Sequence, residues 1–176
     1  LARFLLKILV DYPTVGEEAA VVGRSLNDAA SIAECLSLED LRRHAQTAQT
    51  MMVDRDVIGY AVSLADATRH PENYGLDDIS NLIEFGASPR GPIGLVQAGR
   101  ALGLLRGRGH VELQDIRDLA PDLLRHRIVL SYDALSDGVT ADQLLERVIA
   151  TVSEPGAGRL MQSEPTDTST GRLMSA

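Results

Sequence analysis

Apolar residues recur along much of the chain at the spacing of one helical turn, which predicts a mostly helical protein. The clearest repeat follows Asp54, which suits an N-cap, and ends near Arg69 and His70. It ends there because Pro71 biases the residue before it away from the helical conformation. The face of this predicted helix consists of Val57, Ala61, Leu64, Ala65 and Thr68.

Three further helices are predicted by their start signals. Two of the signals are capping boxes, in which two side chains three residues apart each accept a backbone N–H of the first turn. The signals are Thr14 with Glu17, Ser37, and Thr140 with Gln143. Another apolar repeat, residues 116–124, contains Pro121, whose ring is expected to kink or split that helix.

The longest predicted helix runs from Ser88 to residue 107. Ser88 suits the N-cap, because its hydroxyl can accept an unpaired N–H of the first turn. Pro89 suits the first helical position, where a missing N–H costs nothing. Gly99 and Gly103 lie four residues apart on one face, which indicates close approach of another helix.

Arg90 lies in the first turn of this helix, where a cation opposes the positive end of the helix dipole by about 0.3–1 kcal/mol. An anion bound there would meet both the exposed N–H groups and the guanidinium. The alternative is a solvated arginine or a salt bridge to a nearby acid. Physical reasoning alone favours that alternative.

Two short apolar runs, residues 4–10 and 128–130, predict strands that could pair with each other. From Ser153 the chain is rich in Ser, Thr, Gly, Pro and Glu, which predicts a disordered tail. That tail contains the run Gly-Arg-Leu-Met twice, at residues 158 and 171.

Composition narrows the classes of protein and partner. The formal net charge of −8 over 176 residues argues against nucleic acid or an anionic membrane as the main partner. No apolar run approaches the roughly 20 residues of a membrane span. One cysteine, Cys35, excludes an internal disulfide and favours the reducing cytoplasm. The absence of an initiator methionine suggests a fragment of a longer protein.

No metal site is predicted, because the four histidines are isolated and lack metal-ligand spacing. The basic run Arg125-His126-Arg127 could contact a phosphate group. Cations are also favoured at the C-terminus of a helix, which is the alternative for this run.

Four short runs occur in a fixed order: Phe85-Gly-Ala-Ser-Pro-Arg90, Arg100-Ala-Leu, Leu105-Arg-Gly-Arg108 and Leu124-Arg-His-Arg127. Together they resemble the C-terminal part of MoxR-type AAA+ ATPases over roughly the first 150 residues. The resemblance implies a mainly α fold, a helical bundle of the AAA+ lid type over residues 13–152. Residues 1–12 would be the last strand of the αβα nucleotide-binding core, and residues 153–176 a disordered tail.

The resemblance also implies roles for individual residues. Arg90 corresponds to the sensor 2 arginine, which reaches the nucleotide phosphates from the lid, so the run Ser88-Pro89-Arg90 is predicted to bind the nucleotide. Arg3, in Ala2-Arg3-Phe4, corresponds to an arginine finger that acts on ATP in the adjacent subunit.

The implied parent protein hydrolyses ATP with Mg²⁺ as a cytoplasmic ring, a hexamer, in which this lid contacts its own N-terminal AAA+ core. Members of the family are thought to act as chaperones, often with von Willebrand A-domain proteins. The chain contains no P-loop run and no strand ending in an acidic pair for Mg²⁺, so alone it should not hydrolyse ATP. The rival hypothesis is a helical protein-interaction module without a nucleotide role, in which the Gly99 and Gly103 face is a docking groove.

Overall fold

A computed structural model describes residues 3–26 and 33–155. Helices of four to sixteen residues make up most of this part of the chain, which confirms the mainly α fold. The α-helices are α1 (Val15–Ser25), α2 (Leu38–Thr50), α3 (Arg55–Ala67), α4 (Arg90–Leu105), α5 (Leu113–Leu124), α6 (Tyr132–Ser136) and α7 (Ala141–Thr151). Two 3₁₀ helices, Pro71–Tyr74 and Asp77–Leu82, connect α3 to the strand β1 (Ile83–Phe85), and a second strand, β2 (Val129–Leu130), follows α5.

The core lies where α3, α4, α5 and α7 pack together. Each of these helices carries apolar residues on one face and buries that face against its neighbours. Burial of one such side chain contributes about 1.5–3 kcal/mol to folding. Among the fully buried side chains are Tyr60, Leu64, Leu95, Ile116, Leu123 and Leu145.

The predicted helix starts are confirmed at α1, α2, α3 and α7. The Thr14 hydroxyl accepts a hydrogen bond from the backbone N–H of Glu17, and Thr140 does the same for Gln143. The caps at α2 and α3 are Ser37 and Asp54. These caps satisfy donors that the first turn of a helix leaves unpaired.

The predicted strand at residues 4–10 is not formed, and residues 6–14 have no regular secondary structure. A strand needs a neighbouring strand to pair its backbone groups, and residues 128–130 pair elsewhere. β2 pairs antiparallel with β1, with Ile83 opposite Leu130. The short sheet therefore joins the segment before α4 to the segment after α5.

Pro121 lies inside α5 without splitting it, since the helix runs unbroken from Leu113 to Leu124. The close approach predicted at Gly99 and Gly103 is confirmed. A Cβ at Gly99 would lie 3.0 Å from Cγ1 of Val111, and one at Gly103 would lie 2.9 Å from the carbonyl oxygen of His110. The docking groove of the rival hypothesis is wrong, because the chain itself fills this face.

Three remaining features concern the ends and the surface. α1 buries none of its residues, and Cys35 is exposed. The predicted disordered tail lies outside the described residues from position 156 onward. Within the described ranges no helix has the length and apolar character that a membrane span requires.

Candidate functional site

The start of α4 is held in place by the end of α3. The backbone N–H of Ala87 donates to the hydroxyl of Thr68 at 2.8 Å, and that hydroxyl donates to the carbonyl of Ala65 at 2.7 Å. Arg69 donates to the carbonyl of Ala87 at 3.2 Å and pairs with Asp66 at 3.0 Å. These contacts, buried at Thr68 and part-buried at Arg69, fix the backbone three residues before Arg90.

Position 86 requires a glycine, because the segment before α4 passes very close to the backbone at the end of α3. A Cβ at this position would lie 2.4 Å from the carbonyl oxygen of Thr68, closer than real Cβ atoms come to a neighbour. Because the obstacle is backbone, a side chain could be accommodated only if the segment moved. The glycine therefore sets the distance between the two elements that place Arg90.

The predicted cap of α4 is wrong by one residue. The N-cap is Pro89, already in the helical conformation at φ −54° and ψ −17°, and no side chain caps the helix. The Ser88 hydroxyl does not cap; instead its carbonyl accepts from the N–H of Gly91 at 2.8 Å. The first turn therefore begins with a bond to the Ser88 carbonyl, next to a proline whose ring presets its φ.

Three arginines surround one pocket of about 400 Å³, here named the arginine pocket. Arg90 begins α4, Arg3 lies near the start of the chain, and Arg127 follows α5. Within residues 3–26 and 33–155 no acidic side chain lines the pocket, so this lining favours an anion. Its remaining lining residues are Leu5, Ile93, Gly94 and Gln97.

Arg90 is exposed, and its side chain makes no hydrogen bond or ion pair with any other residue in the described part of the chain. The salt bridge that the sequence allowed as an alternative is therefore not formed there. A guanidinium without a carboxylate partner keeps its donors for a ligand, and its planar fork matches two oxygens of a phosphate group.

The sequence allows the run Arg125-His126-Arg127 to contact a phosphate group but does not connect it with Arg90; the residue of this run that lines the arginine pocket is Arg127. Its Nε donates to the carbonyl of Leu123 at 2.8 Å, and its Nη2 donates to the carbonyl of Phe4 at 2.8 Å. Burial, and after it the positive charge of Arg90, lowers the pKa of Arg127. The two like charges repel each other across the pocket, and an anion between them would relieve that repulsion.

A second pocket, of about 430 Å³, lies beside the first and is lined almost entirely by apolar side chains. Ile58 and Val62 of α3 form one wall and are each 44% exposed. Ile93 and Gln97 line both pockets, so the apolar pocket and the arginine pocket adjoin along α4. Its other lining residues are Pro89, Pro92 and Val96.

The structure brings some of the predicted site residues to the two pockets and leaves one outside them. Arg90 and Arg3 line the same pocket, and Pro89 lines the adjoining apolar pocket. Ser88 is exposed and lines neither of the two. In the described ranges no group of three His, Cys, Asp or Glu side chains is placed to hold a metal ion.

Known proteins are similar to this chain in sequence and in fold. Residues 77–148, which include the start of α4, match the AAA lid domain family. The chain is 39% identical over 160 residues to Chaperone MoxR1 of Mycobacterium tuberculosis, an alignment that covers 91% of this chain and 42% of that protein. It is 32% identical over 169 residues to Protein MoxR of Paracoccus denitrificans, covering 88% of this chain and 50% of that protein. The chain belongs to the MoxR family.

The MoxR assignment extends to structure. A crystal structure of a candidate ATPase from Cytophaga hutchinsonii superposes with a TM-score of 0.81 at 29% identity. That match covers 86% of this chain and 47% of the other. The chain thus spans about half the length of the proteins it matches, or less, and it carries an AAA lid domain.

Proposed function

We propose that this chain is the lid over the nucleotide of a MoxR-type AAA+ ATPase, and that Arg90 is its sensor 2 arginine. The observation that carries the proposal is the arginine pocket directly beside an apolar pocket. A nucleotide has a flat, weakly polar base at one end and several negative charges at the other. The two adjoining pockets match that division.

The chemistry asked of Arg90 is electrostatic. In phosphoryl transfer, negative charge is spread over the oxygens of the transferred group, and a cation placed there stabilises the transition state. Arg90 suits this role because its guanidinium is exposed and unpaired among the described residues. The contact between Thr68 and Ala87, which precedes Arg90, is buried, and it holds the backbone at the start of α4 in place.

The rest of the machinery would come from the parent protein. The P-loop and the acidic residues that hold Mg²⁺ with ATP would lie on its own N-terminal AAA+ core, so this chain alone would be inactive. We further propose a chaperone role, because one relative is named a chaperone. The cytoplasmic ring, a hexamer, is proposed from the family resemblance alone. A von Willebrand A-domain partner stays a prediction from the family resemblance.

Arg3 and Ser88 also stay predictions. Arg3 lines the same pocket as Arg90 of its own chain, which supports a contact with the phosphates of the same nucleotide. Its predicted role as an arginine finger would instead require the neighbouring subunit. Ser88 can bind the nucleotide only from the exposed edge of the α4 start.

The test is steady-state ATP hydrolysis by the full-length parent, native against Arg90→Ala, with nucleotide binding measured in parallel. We expect turnover to fall by about 10²–10³-fold, the usual effect of removing a preorganised charge donor, while binding falls much less. Arg100→Ala is the matched control, because it removes the same charge from the same helix about 15 Å away. Equal turnover of Arg90→Ala and native protein would overturn the sensor 2 assignment.

A further inference from the structure

We propose that Arg127 is a second anion-binding residue of the arginine pocket. We also propose that the run Arg125-His126-Arg127 clamps residues 4–7 so that anion binding and the position of that segment are coupled. The inference rests on the proposed function, in that the anion is a polyphosphate. It assigns a role to a run that the sensor 2 proposal leaves unused.

The clamp consists of one run of side chains bonded to the backbone of another segment. Arg125 donates from Nη1 to the carbonyl of Lys7 at 2.6 Å. Nε2 of His126 lies 3.0 Å from the carbonyl oxygen of Phe4, and Nη2 of Arg127 donates to the carbonyls of Phe4 at 2.8 Å and Leu5 at 3.2 Å. In a sheet, these carbonyls would pair with a neighbouring strand. Here the side chains of residues 125–127 are their partners, so residues 4–7 are held in place without forming a strand.

The helix α5 completes the clamp from its own backbone and side chains. The N–H of Lys7 donates to the carbonyl of Asp122 at 2.8 Å. The Arg125 side chain is only 9% exposed and is held by ion pairs with Asp122 and with Asp142, the latter at 2.8 Å. Residues 4–7 are therefore attached to the end of α5 through several bonds of one clamp.

Arg127 joins this clamp to the pocket. Its bonds to the neutral carbonyls of Leu123, Phe4 and Leu5 orient the guanidinium, which lines the pocket together with Arg90. A polyphosphate that contacts both guanidiniums reduces their mutual repulsion. The pKa of Arg127, lowered by burial and by Arg90, agrees with two cations held close together.

Coupling follows because the same residue serves both functions. An anion that fixes Arg127 also fixes the carbonyls of Phe4 and Leu5, and Leu5 itself lines the pocket beside Arg3. By linkage, the factor by which the bound anion stabilises the clamp equals the factor by which loss of the clamp lowers the affinity for the anion. Nucleotide state would thereby be transmitted to the segment that precedes α1.

The experiment titrates the 176-residue chain with inorganic tripolyphosphate at low salt by calorimetry, and follows hydrogen exchange of the Lys7 amide with and without the anion. We expect Arg127→Met and Arg90→Met each to weaken binding about tenfold or more, while the control Arg100→Met binds like the native chain. Tripolyphosphate should slow exchange of the Lys7 amide severalfold in the native chain. It should not do so in Arg127→Met.

Two further variants separate charge from clamping, and they also serve if Arg127→Met does not fold. Arg127→Lys keeps the charge and loses the fork, so it should retain part of the binding and lose the effect on the Lys7 amide. His126→Ala removes one clamp contact and should speed exchange at Lys7 more than it weakens binding. An Arg127→Lys chain that binds tripolyphosphate and keeps the full exchange effect would overturn the coupling.

The outcomes distinguish this inference from the proposed function. If Arg90→Met weakens binding and Arg127→Met binds like the native chain, the role of Arg127 is wrong and the sensor 2 proposal stands. If the native chain does not bind tripolyphosphate, the arginine pocket is not a phosphate site and both proposals fail. Weakened binding in both variants, with the loss of the exchange effect in Arg127→Met, supports both.

Discussion

The backbone N–H of Ala87 donates to the hydroxyl of Thr68 at 2.8 Å, although the two residues lie 19 positions apart in the chain. Both are buried, Thr68 at 1% and Ala87 at 0% exposure. This single hydroxyl ends α3, through its bond to Ala65, and fixes the segment that begins α4. The placement of Arg90 therefore depends on a residue of a different helix.

Thr68→Val tests that dependence. The substitution keeps the shape of the side chain and leaves the buried N–H of Ala87 without an acceptor, which costs about 1–3 kcal/mol. We expect the free energy of unfolding, measured in urea, to fall by that amount, and tripolyphosphate binding to weaken as the start of α4 loosens. Thr68→Ser, which keeps the hydroxyl, should remain close to native. A Val variant as stable as the Ser variant would contradict this account.

The contrast between the helix starts and the site shows how far the sequence alone could lead. The caps at Thr14, Ser37 and Thr140 were predictable because a cap depends on residues within three positions of it. The pairing of β1 with β2 was not, because it joins segments far apart in the chain. Arg127 reaches the carbonyl of Phe4 across 123 positions, so only the folded chain brings it to the pocket.

The predicted N-cap of α4 was wrong, although it depends only on neighbouring residues. Ser88 followed by a proline has the composition of a cap and first helical residue, and composition was the only available evidence. In the structure the Ser88 hydroxyl makes no cap bond, the Ser88 carbonyl accepts from the N–H of Gly91, and Pro89 is the N-cap, one residue later than predicted. The predicted position of Arg90 in the first turn survives the shift.

Asp115 is the one fully buried carboxylate among the described residues, and its removal should be costly. One oxygen accepts from Arg106 at 2.7 Å and Arg108 at 2.5 Å, and the other accepts from the N–H of Glu112 at 2.9 Å. Asp115→Asn should lower the free energy of unfolding by about 3 kcal/mol, because it breaks a buried ion pair from one side. Asp118→Asn, at a partner of Arg106 that is 35% exposed, should cost less than about 1 kcal/mol. Equal losses in urea unfolding would show that burial does not set the cost.

The same carboxylate predicts a dependence of stability on pH. Burial by itself raises the pKa of Asp115, but hydrogen bonds from Arg108 and the Glu112 N–H outweigh it, and the pKa lies below its ordinary value of 3.8. A pKa lowered by folding stabilises the native state above the unfolded value and loses that contribution as the pH falls through the folded value. We therefore expect the native chain to lose stability below about pH 4 more steeply than Asp115→Asn. Parallel curves from thermal melts between pH 2 and 7 would contradict the assignment.

Substitution by alanine is expected to change the stability of the chain in opposite directions at Gly59 and Gly103. Gly59 lies inside α3 with open space where a Cβ would lie, so Gly59→Ala should stabilise the chain by about 0.5–1 kcal/mol through helix propensity. At Gly103 a Cβ would lie 2.9 Å from a backbone oxygen and 3.0 Å from Cε of Met51. Gly103→Ala should destabilise by about 1–3 kcal/mol, because the backbone oxygen can yield only if the loop before α5 moves. Melting temperatures that shift in the same direction would contradict the packing at Gly103.

We expect Arg90 to lower the stability of the chain without an anion and to raise it when an anion is bound. Without an anion it opposes the dipole of α4 and repels Arg127, so Arg90→Met should raise the free energy of unfolding by about 0.3–1 kcal/mol. A saturating polyphosphate should reverse the order, since the native chain gains stability in proportion to the logarithm of ligand concentration over Kd and the variant gains less. Arg100→Met, on the same helix outside the pocket, should not change order on adding the anion. If Arg90→Met is instead the less stable chain without anion, Arg90 supports the fold and its exposure at the pocket is incidental.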